Sequence, residues 1–257
     1  MTLEIFSHIL NYVDPQISKD LGRFRASRPL PYKNTPYDWR EFEKNIKGEY
    51  GKARFTRDKK EGVTYNDFSS PLVNIVNGKR VTTNTPNNYK YKIHVFGGST
   101  VFCSETPDEF TVTSYLQRLI NQNIDTSYAV INHGAMSANI KNQYYKMINS
   151  SSIQKGDIII FLDGVNDIIQ SLYYNNPTGT MSEDIFKQYE KMNFIQKIRT
   201  KLFIVLARHS LFVDRFLNPI KQPPERENLK FPKRLLLKMQ SNYRSVIEKT
   251  RAYAKNN

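Results

Sequence analysis

The sequence predicts an α/β fold in which helices cover a parallel β-sheet. Three short apolar runs, at 92–96, 128–132 and 158–162, have the length and the Val and Ile content of strands. Helical patterns around 111–122 and 136–149 separate them, and such alternation favours parallel pairing through right-handed crossovers. A chain of 257 residues with 39% hydrophobic residues is large enough to bury the core of one such domain.

Residues 1–90 are predicted to form an irregular N-terminal extension that packs against this domain. The region is rich in Tyr, Asn, Lys and Pro, which favours turns and extended segments. Near 73–82, alternating apolar residues flank Asn77-Gly78, which is a strong signal for a two-residue hairpin turn. We therefore expect a β-hairpin there and place the main domain at 91–257.

Within the main domain each predicted strand leads into a helix. The strand at 92–96 ends at a glycine turn, and the strand at 128–132 is followed by the helix at 136–149. The run at 158–162 is apolar at every position, which is typical of a strand covered by helices on both faces.

Beyond residue 169 the pattern is helical and basic. Helices are predicted over 182–216 and 234–254, with a proline-rich loop between them. Residues 180–232 are interpreted as a lid-like insertion beside the site. An amphipathic helix resting on a membrane surface is the alternative for the same segment.

The positive charge of the chain is concentrated in its C-terminal part. Residues 185–257 carry 17 Lys and Arg against 5 Asp and Glu, which is +12 of the net +14. Such a block attracts anionic membrane surfaces or other polyanions, and a solvated face of lysine-rich helices is the plainer interpretation. No nucleic-acid partner is expected, since zinc-finger and RNA-binding signatures are missing from the sequence.

Composition also bears on compartment and cofactors. The sequence has no secretory signal pattern and no apolar run of roughly 18 to 20 residues, so a cytoplasmic location is expected. Its single cysteine, Cys103, excludes an internal disulfide and a multi-cysteine metal site, and we expect it to be a small buried helix residue. Neither a cofactor nor a metal is expected, because nucleotide fingerprints and metal-ligand spacings are missing from the sequence.

Three polar segments follow the three predicted strands. In an open α/β sheet, ligands bind outside the carboxyl ends of the strands, so these segments should converge on one site. Together they offer a serine, a glycine backbone and an asparagine amide, which are a nucleophile and oxyanion donors for acyl transfer. The segments are Gly97-Gly98-Ser99-Thr100, Asn132-His133-Gly134 and Gly164-Val165-Asn166-Asp167.

In order and spacing these segments resemble the first three sequence blocks of the SGNH (GDSL-like) hydrolases. The resemblance covers about residues 91–169, under a third of the chain. It implies a flavodoxin-like three-layer fold and a serine nucleophile, Ser99. It also implies that the Ser99 and Gly134 N–H groups and the Asn166 side-chain amide stabilise the oxyanion.

Three further residues are expected to support this site. Gly98 allows the tight turn before the nucleophile. Asn132 and Asp167 hold their loops, and for Asp167 a helix N-cap is an equal alternative.

The family's final Asp-x-x-His block, which supplies the base, is missing from this sequence. None of the four histidines, His8, His94, His133 and His209, has an aspartate three positions earlier. The family pattern would also place two more strands after the last helix, so the resemblance implies a domain that lacks its C-terminal strands. His133 is the one histidine near the predicted site, but its position favours a side chain that points away from Ser99.

The leading interpretation is a serine esterase that acts on an O-acylated glycan or a small ester. An O-acetyltransferase of the same fold would use a sugar hydroxyl in place of water. A glycan- or ester-binding remnant without catalysis, and a basic membrane-apposed protein, are the alternatives from other classes.

Overall fold

A computed structural model describes residues 52–104, 106–174, 176–207 and 233–256. Of these, residues 52–186 and 233–256 belong to one compact unit, and residues 187–207 belong to a second. Every predicted site residue lies in the first unit. His8, His209 and the loop prolines at 219–232 lie outside the described residues.

The main sheet of the first unit is mixed, which corrects the expectation of a parallel sheet. Its order is β3-β4-β6-β5-β7, and the central strand β5 pairs in parallel with β6 and β7. Strand β4 adds to β6 antiparallel, through the pairing of Arg80 with Asn132. A separate antiparallel pair is formed by β1 and β2. The strands are β1 (Phe55–Asp58), β2 (Gly62–Tyr65), β3 (Ile75–Val76), β4 (Lys79–Arg80), β5 (Tyr91–Gly97), β6 (Tyr128–Gly134) and β7 (Ile158–Leu162).

Helices follow the three parallel strands and continue to the end of the described chain. No bounds were predicted for the four-residue helix directly after β5, and the helix predicted at 136–149 begins only at residue 140. Among the described residues, no helix has the length and apolar character that crossing a bilayer requires. The helices are α1 (Ser99–Phe102), α2 (Val112–Asn123), α3 (Ile140–Ile148), α4 (Val165–Tyr174), α5 (Met181–Lys191), α6 (Phe194–Ala207) and α7 (Lys233–Asn256).

The hairpin β3–β4 turns at Asn77 and Gly78. Both have positive φ, 51° and 72°, as a two-residue turn between twisted strands requires. The hairpin joins the main sheet through β4, so residues before 91 contribute a strand to the same sheet as the predicted domain.

Helix α1 is held between two apolar clusters. Val101 packs with Ile93, Val95, Ile120 and Val130 between the sheet and α2. Phe102 packs in the other cluster, whose remaining buried members are Val63, Tyr65, Ile75, Ala135 and Ala138. Both side chains are fully buried, whereas Ser99 is half-buried and Thr100 is exposed. The short helix is therefore fixed by its third and fourth residues and turns its first two outward.

Strand β7 departs from its prediction, because the side chains of one of its faces are exposed. Ile158, Ile160 and Leu162 are exposed and share the sheet face of Ile93 and Val95. Among the described strands β7 pairs only with β5, at the edge of the sheet. An all-apolar run can therefore be an edge strand as well as a doubly covered one.

Cys103 ends helix α1 and does not lie within a helix as expected. It adopts a left-handed conformation with φ 55°, and its thiol donates to the Thr100 carbonyl over 2.9 Å. Burial raises the pKa of this thiol, so it stays protonated at neutral pH.

Candidate functional site

Ser99 is the first residue of α1 and lies directly after the carboxyl end of the central strand. Gly98 precedes it in an extended conformation and accepts the first backbone hydrogen bonds of the helix, from Val101 and Phe102. Because the buried half of α1 fixes the helix, the position of Ser99 is set before any ligand arrives.

The Asn166 side chain lies against Gly98, the residue before Ser99. Asn166 Nδ2 donates to the Ala138 carbonyl over 2.8 Å. A Cβ placed on Gly98 would come within 2.4 Å of the same nitrogen. The structure therefore brings the first and third predicted segments together, and glycine at 98 leaves the room that Asn166 occupies.

Gly134 does not offer its N–H to a ligand as expected. This N–H donates to Asn132 Oδ1 over 2.8 Å, and both residues are buried. A Cβ on Gly134 would meet the Phe102 nitrogen at 2.2 Å, so the glycine is needed for the close approach of α1 to β6. This finding corrects the expected oxyanion role of Gly134, because a donor already bonded within the protein is not available to a substrate.

The loop between β6 and α3 lies against Gly98, the residue before Ser99. Its Ala138 carbonyl holds Asn166 and lies 3.3 Å from the Cβ position of Gly98. Ser137 in this loop has a φ of 59°, a conformation that non-glycine residues seldom adopt. Sequence reasoning missed this loop because 136–139 was assigned to a helix.

Asn132 joins three elements from a buried position. Its Nδ2 donates to the Val101 carbonyl over 2.8 Å and to Thr113 Oγ1 over 3.1 Å, while its Oδ1 accepts the Gly134 N–H. A carboxylate or an apolar residue could not make this set of bonds. Asn132 is thus a positioning residue that fixes α1 and α2 to the end of β6.

Asp167 fastens the start of α3 and does not cap its own helix. Its carboxylate accepts the Ile140 N–H at 3.3 and 3.4 Å and the Tyr243 hydroxyl at 3.0 Å. Burial, with the nearby Asp163 as the next cause, raises the pKa of Asp167 to about 6. Tyr243 also bonds Asp163, a residue to which the sequence assigned no role.

His94 and His133 are bonded to each other. His94 Nδ1 lies 2.8 Å from His133 Nε2, and His94 Nε2 lies 3.1 Å from Asp157 Oδ2. Because a carboxylate only accepts, His94 Nε2 carries a proton, and in the neutral pair His133 Nε2–H donates to His94 Nδ1. The His133 ring also stacks on the Phe96 ring, with the two ring centroids 4.3 Å apart. Neither described histidine is therefore free to act as the base that Ser99 would need.

A buried ion pair that the sequence did not predict fixes the chain after α1. Arg80 is buried and bonds Asp108, and its guanidinium also donates to the Cys103 and Thr106 carbonyls. The guanidinium carbon of Arg80 lies 5.4 Å from the centroid of the Phe102 ring. One signal was available in the sequence, an arginine on a predicted hairpin, but its partner is 28 positions away.

No family model matches the chain, and the search of curated proteins found no match. Among solved structures, the chain is similar to LAE5, described as an alpha/beta hydrolase enzyme from the metagenome of Lake Arreo, Spain. The identity is 13% and the TM-score 0.26, over 47% of this chain and 56% of that one, so about half of each chain is aligned. What stands is an α/β fold with a mixed sheet and a serine just beyond the carboxyl end of the strand β5.

Proposed function

We propose that this protein is a serine acyl hydrolase of the SGNH type that acts on an O-acylated glycan or a small ester. The observation that carries the proposal is the contact of Asn166 with Gly98. It places an amide donor beside the residue that precedes a half-buried serine at the end of the central strand.

In the proposed reaction the Ser99 hydroxyl oxygen attacks the acyl carbonyl carbon. The hydroxyl proton passes to a base, the carbonyl oxygen becomes an oxyanion, and the alcohol leaves after it receives that proton. Water then attacks the acyl-serine ester and frees both the acid and Ser99. The Asn166 amide nitrogen carries two N–H groups, and one of them donates to the Ala138 carbonyl. In the proposal the other N–H and the Ser99 N–H stabilise the oxyanion, and each such donor is worth about 100- to 1000-fold in rate.

The base has to come from a group other than the histidine pair. His94 and His133 are committed to each other and to Asp157, while His8 and His209 lie outside the described residues. An O-acetyltransferase would use the same acyl-serine and deliver the acyl group to a sugar hydroxyl. Adding acetyl-acceptor oligosaccharides to the assay distinguishes transfer from hydrolysis.

The test is hydrolysis of p-nitrophenyl acetate together with labelling by a fluorophosphonate probe. We expect turnover and a label on the peptide that contains Ser99, and we expect Ser99→Ala to lose both. Ser151→Ala, an exposed serine in the turn after α3, is the matched control and should behave as the wild type. A folded wild-type protein with neither turnover nor label contradicts the proposal.

A second candidate is a protein that binds an acylated glycan and does not hydrolyse it. The observation that favours it is the engagement of both described histidines. It predicts saturable binding of an acetylated oligosaccharide in calorimetry, without release of acetate.

A further inference from the structure

Two acidic side chains and one phenol meet beyond the end of β7. Asp163 follows the strand, Asp167 lies in the first turn of α4, and Tyr243 lies within α7. The Tyr243 hydroxyl bonds Asp163 Oδ1 and lies 3.0 Å from Asp167 Oδ2. This contact joins α7 to a part of the fold that is about 80 residues earlier in the chain.

One hydroxyl proton cannot satisfy two ionised carboxylates. A tyrosine hydroxyl donates one hydrogen bond and accepts others, whereas an ionised carboxylate only accepts. If Tyr243 donates to one carboxylate, the other carboxyl must carry a proton of its own to bond the phenol oxygen. The two contacts together therefore correspond to a state in which the pair of carboxyls carries one proton.

Among the described residues, no basic side chain takes the place of that proton. In the described part of the chain, neither Asp163 nor Asp167 pairs with a basic side chain. On α3, Lys141 is paired with Glu183, and on α4 the next polar residue, Gln170, bonds Asp184. The charged side chains of α7 that line the groove beside Asp163 are Arg244, Glu248 and Arg251.

We propose that Asp163, Tyr243 and Asp167 form a proton-sharing latch. The latch fastens α7 to the end of β7 while one carboxyl is protonated, and it loosens when both are ionised. The groove of about 650 Å³ between α7 and the start of α4 gives the helix room to move when the latch loosens.

The direction of the pH response follows from the two carboxyls. Burial raises the pKa of Asp163, and burial with the charge of Asp163 raises that of Asp167 to about 6. The closed latch thus binds a proton that the open one releases. The latch stabilises the attachment of α7 fully below about pH 4, and this stabilisation is lost as the pH rises through about 6.

The latch also bears on the candidate site, and this consequence rests on the proposed function. Asp167 follows Asn166 directly and holds the Ile140 N–H at the start of α3. Opening of the latch would therefore loosen both the residue beside the oxyanion donor and the loop that carries Ala138. The latch is a positioning device and makes no contact with a substrate in this scheme.

Hydrogen exchange of the α7 amides tests the latch without any ester substrate. After correction for the intrinsic pH dependence of exchange, we expect protection at 240–250 to be about tenfold higher at pH 5.0 than at pH 7.5. The α2 amides, remote from the latch, serve as the internal control, and their protection should not be higher at pH 5.0 than at pH 7.5. Equal protection of α7 at the two pH values would overturn the proposal.

Two variants separate the latch from general packing. Asp163→Asn removes the second charge and keeps a side chain that donates to the phenol oxygen, so α7 should be protected at both pH values. Tyr243→Phe keeps the ring but removes the shared hydroxyl, so α7 should exchange rapidly at both. If Asp163→Asn keeps the wild-type pH dependence, the latch is refuted, whatever the outcome of the hydrolysis assay.

Discussion

At the scale of single residues, two glycines decide how close the elements around Ser99 approach. A Cβ on Gly98 would meet the end of the Asn166 side chain at 2.4 Å, whereas a Cβ on Gly134 would meet the Phe102 backbone nitrogen at 2.2 Å. A side-chain end can rotate away, but a helix backbone held by two buried residues cannot. The two positions are therefore expected to respond differently to the same added methyl group.

Gly98→Ala and Gly134→Ala make a matched pair. We expect Gly98→Ala to cost little stability, about 1 kcal/mol or less, and to reduce esterase activity at least tenfold because Asn166 is displaced. Gly134→Ala should destabilise the fold by about 2 to 4 kcal/mol, since α1 must shift as a unit. Urea denaturation and turnover of the same preparations check both. Similar stabilities for the two variants would contradict this account.

At the same scale, a polar side chain makes backbone hydrogen bonds to β6 that the neighbouring strand β4 does not make. Gln117 of α2 accepts the Val130 N–H over 2.7 Å and donates to the Tyr128 carbonyl over 3.0 Å. These are backbone groups of β6 that β4 does not reach, because β4 pairs only at Asn132. The side chain thus protects a sheet edge that would otherwise be open to pairing.

At the scale of elements, helix α6 presents apolar side chains to solvent. Phe194, Ile195 and Ile198 are 78%, 63% and 48% exposed. The helix also contains Lys197, Arg199 and Lys201 and no acidic residue. A second copy of the chain would bring like charges together, so an anionic lipid surface fits this combination better.

We propose that α6 binds anionic vesicles, and co-sedimentation with phosphatidylglycerol vesicles measures it. Binding should weaken markedly between about 0.05 and 0.5 M salt, because exposed charges are screened. Replacing Phe194 and Ile195 by Ser should weaken binding at least tenfold, since burial of each such side chain contributes about 1.5 to 3 kcal/mol. Ile124→Ser, at a residue 68% exposed just after α2, is the control and should leave binding unchanged. Equal binding to neutral vesicles would contradict the contribution of the basic side chains to this proposal.

At the scale of the whole molecule, the buried histidine pair makes stability depend on pH. Burial lowers the pKa of His94 and lowers that of His133 well below its usual value. The unfolded chain therefore takes up protons below about pH 6.5 that the folded chain does not. The free energy of unfolding must fall as the pH drops through this range.

We expect this loss to approach about 1.4 kcal/mol per pH unit for each imidazole that stays neutral in the fold. His133→Gln, whose amide can still donate to His94 Nδ1, should show a shallower loss than the wild type below pH 6.5. Urea denaturation of both proteins at pH 7.5, 6.5, 5.5 and 5.0 gives the two slopes. The carboxyl latch is common to both and cancels in the difference, so parallel curves would show that His133 is not the cause.

Local signals in the sequence determined the three parallel strands, the β3–β4 hairpin and the positions of the polar strand exits, whereas β1 and β2 lie in a region predicted to be irregular. Apolar runs, glycine turns and helical spacing are properties of neighbouring residues, and so the run at 158–162 was located to the residue. The same signals placed Ser99 after the first apolar run and Asn166 after the third. The bounds of the four-residue helix α1 were not predicted because its stability comes from the burial of Val101 and Phe102 in two clusters, not from helical periodicity.

Only the tertiary structure decided which groups are free and which are already bonded. The Gly134 N–H is satisfied by Asn132, the two histidines by each other, and Asp167 by the α3 backbone and Tyr243. Each of these bonds, except the one within Asn132-His133-Gly134, joins residues at least 27 positions apart, so spacing alone could not reveal them. Exposure of one face of β7 likewise depends on which helices cover the sheet. A sequence specifies the donors and acceptors of a site, but their partners follow from the packing of distant elements.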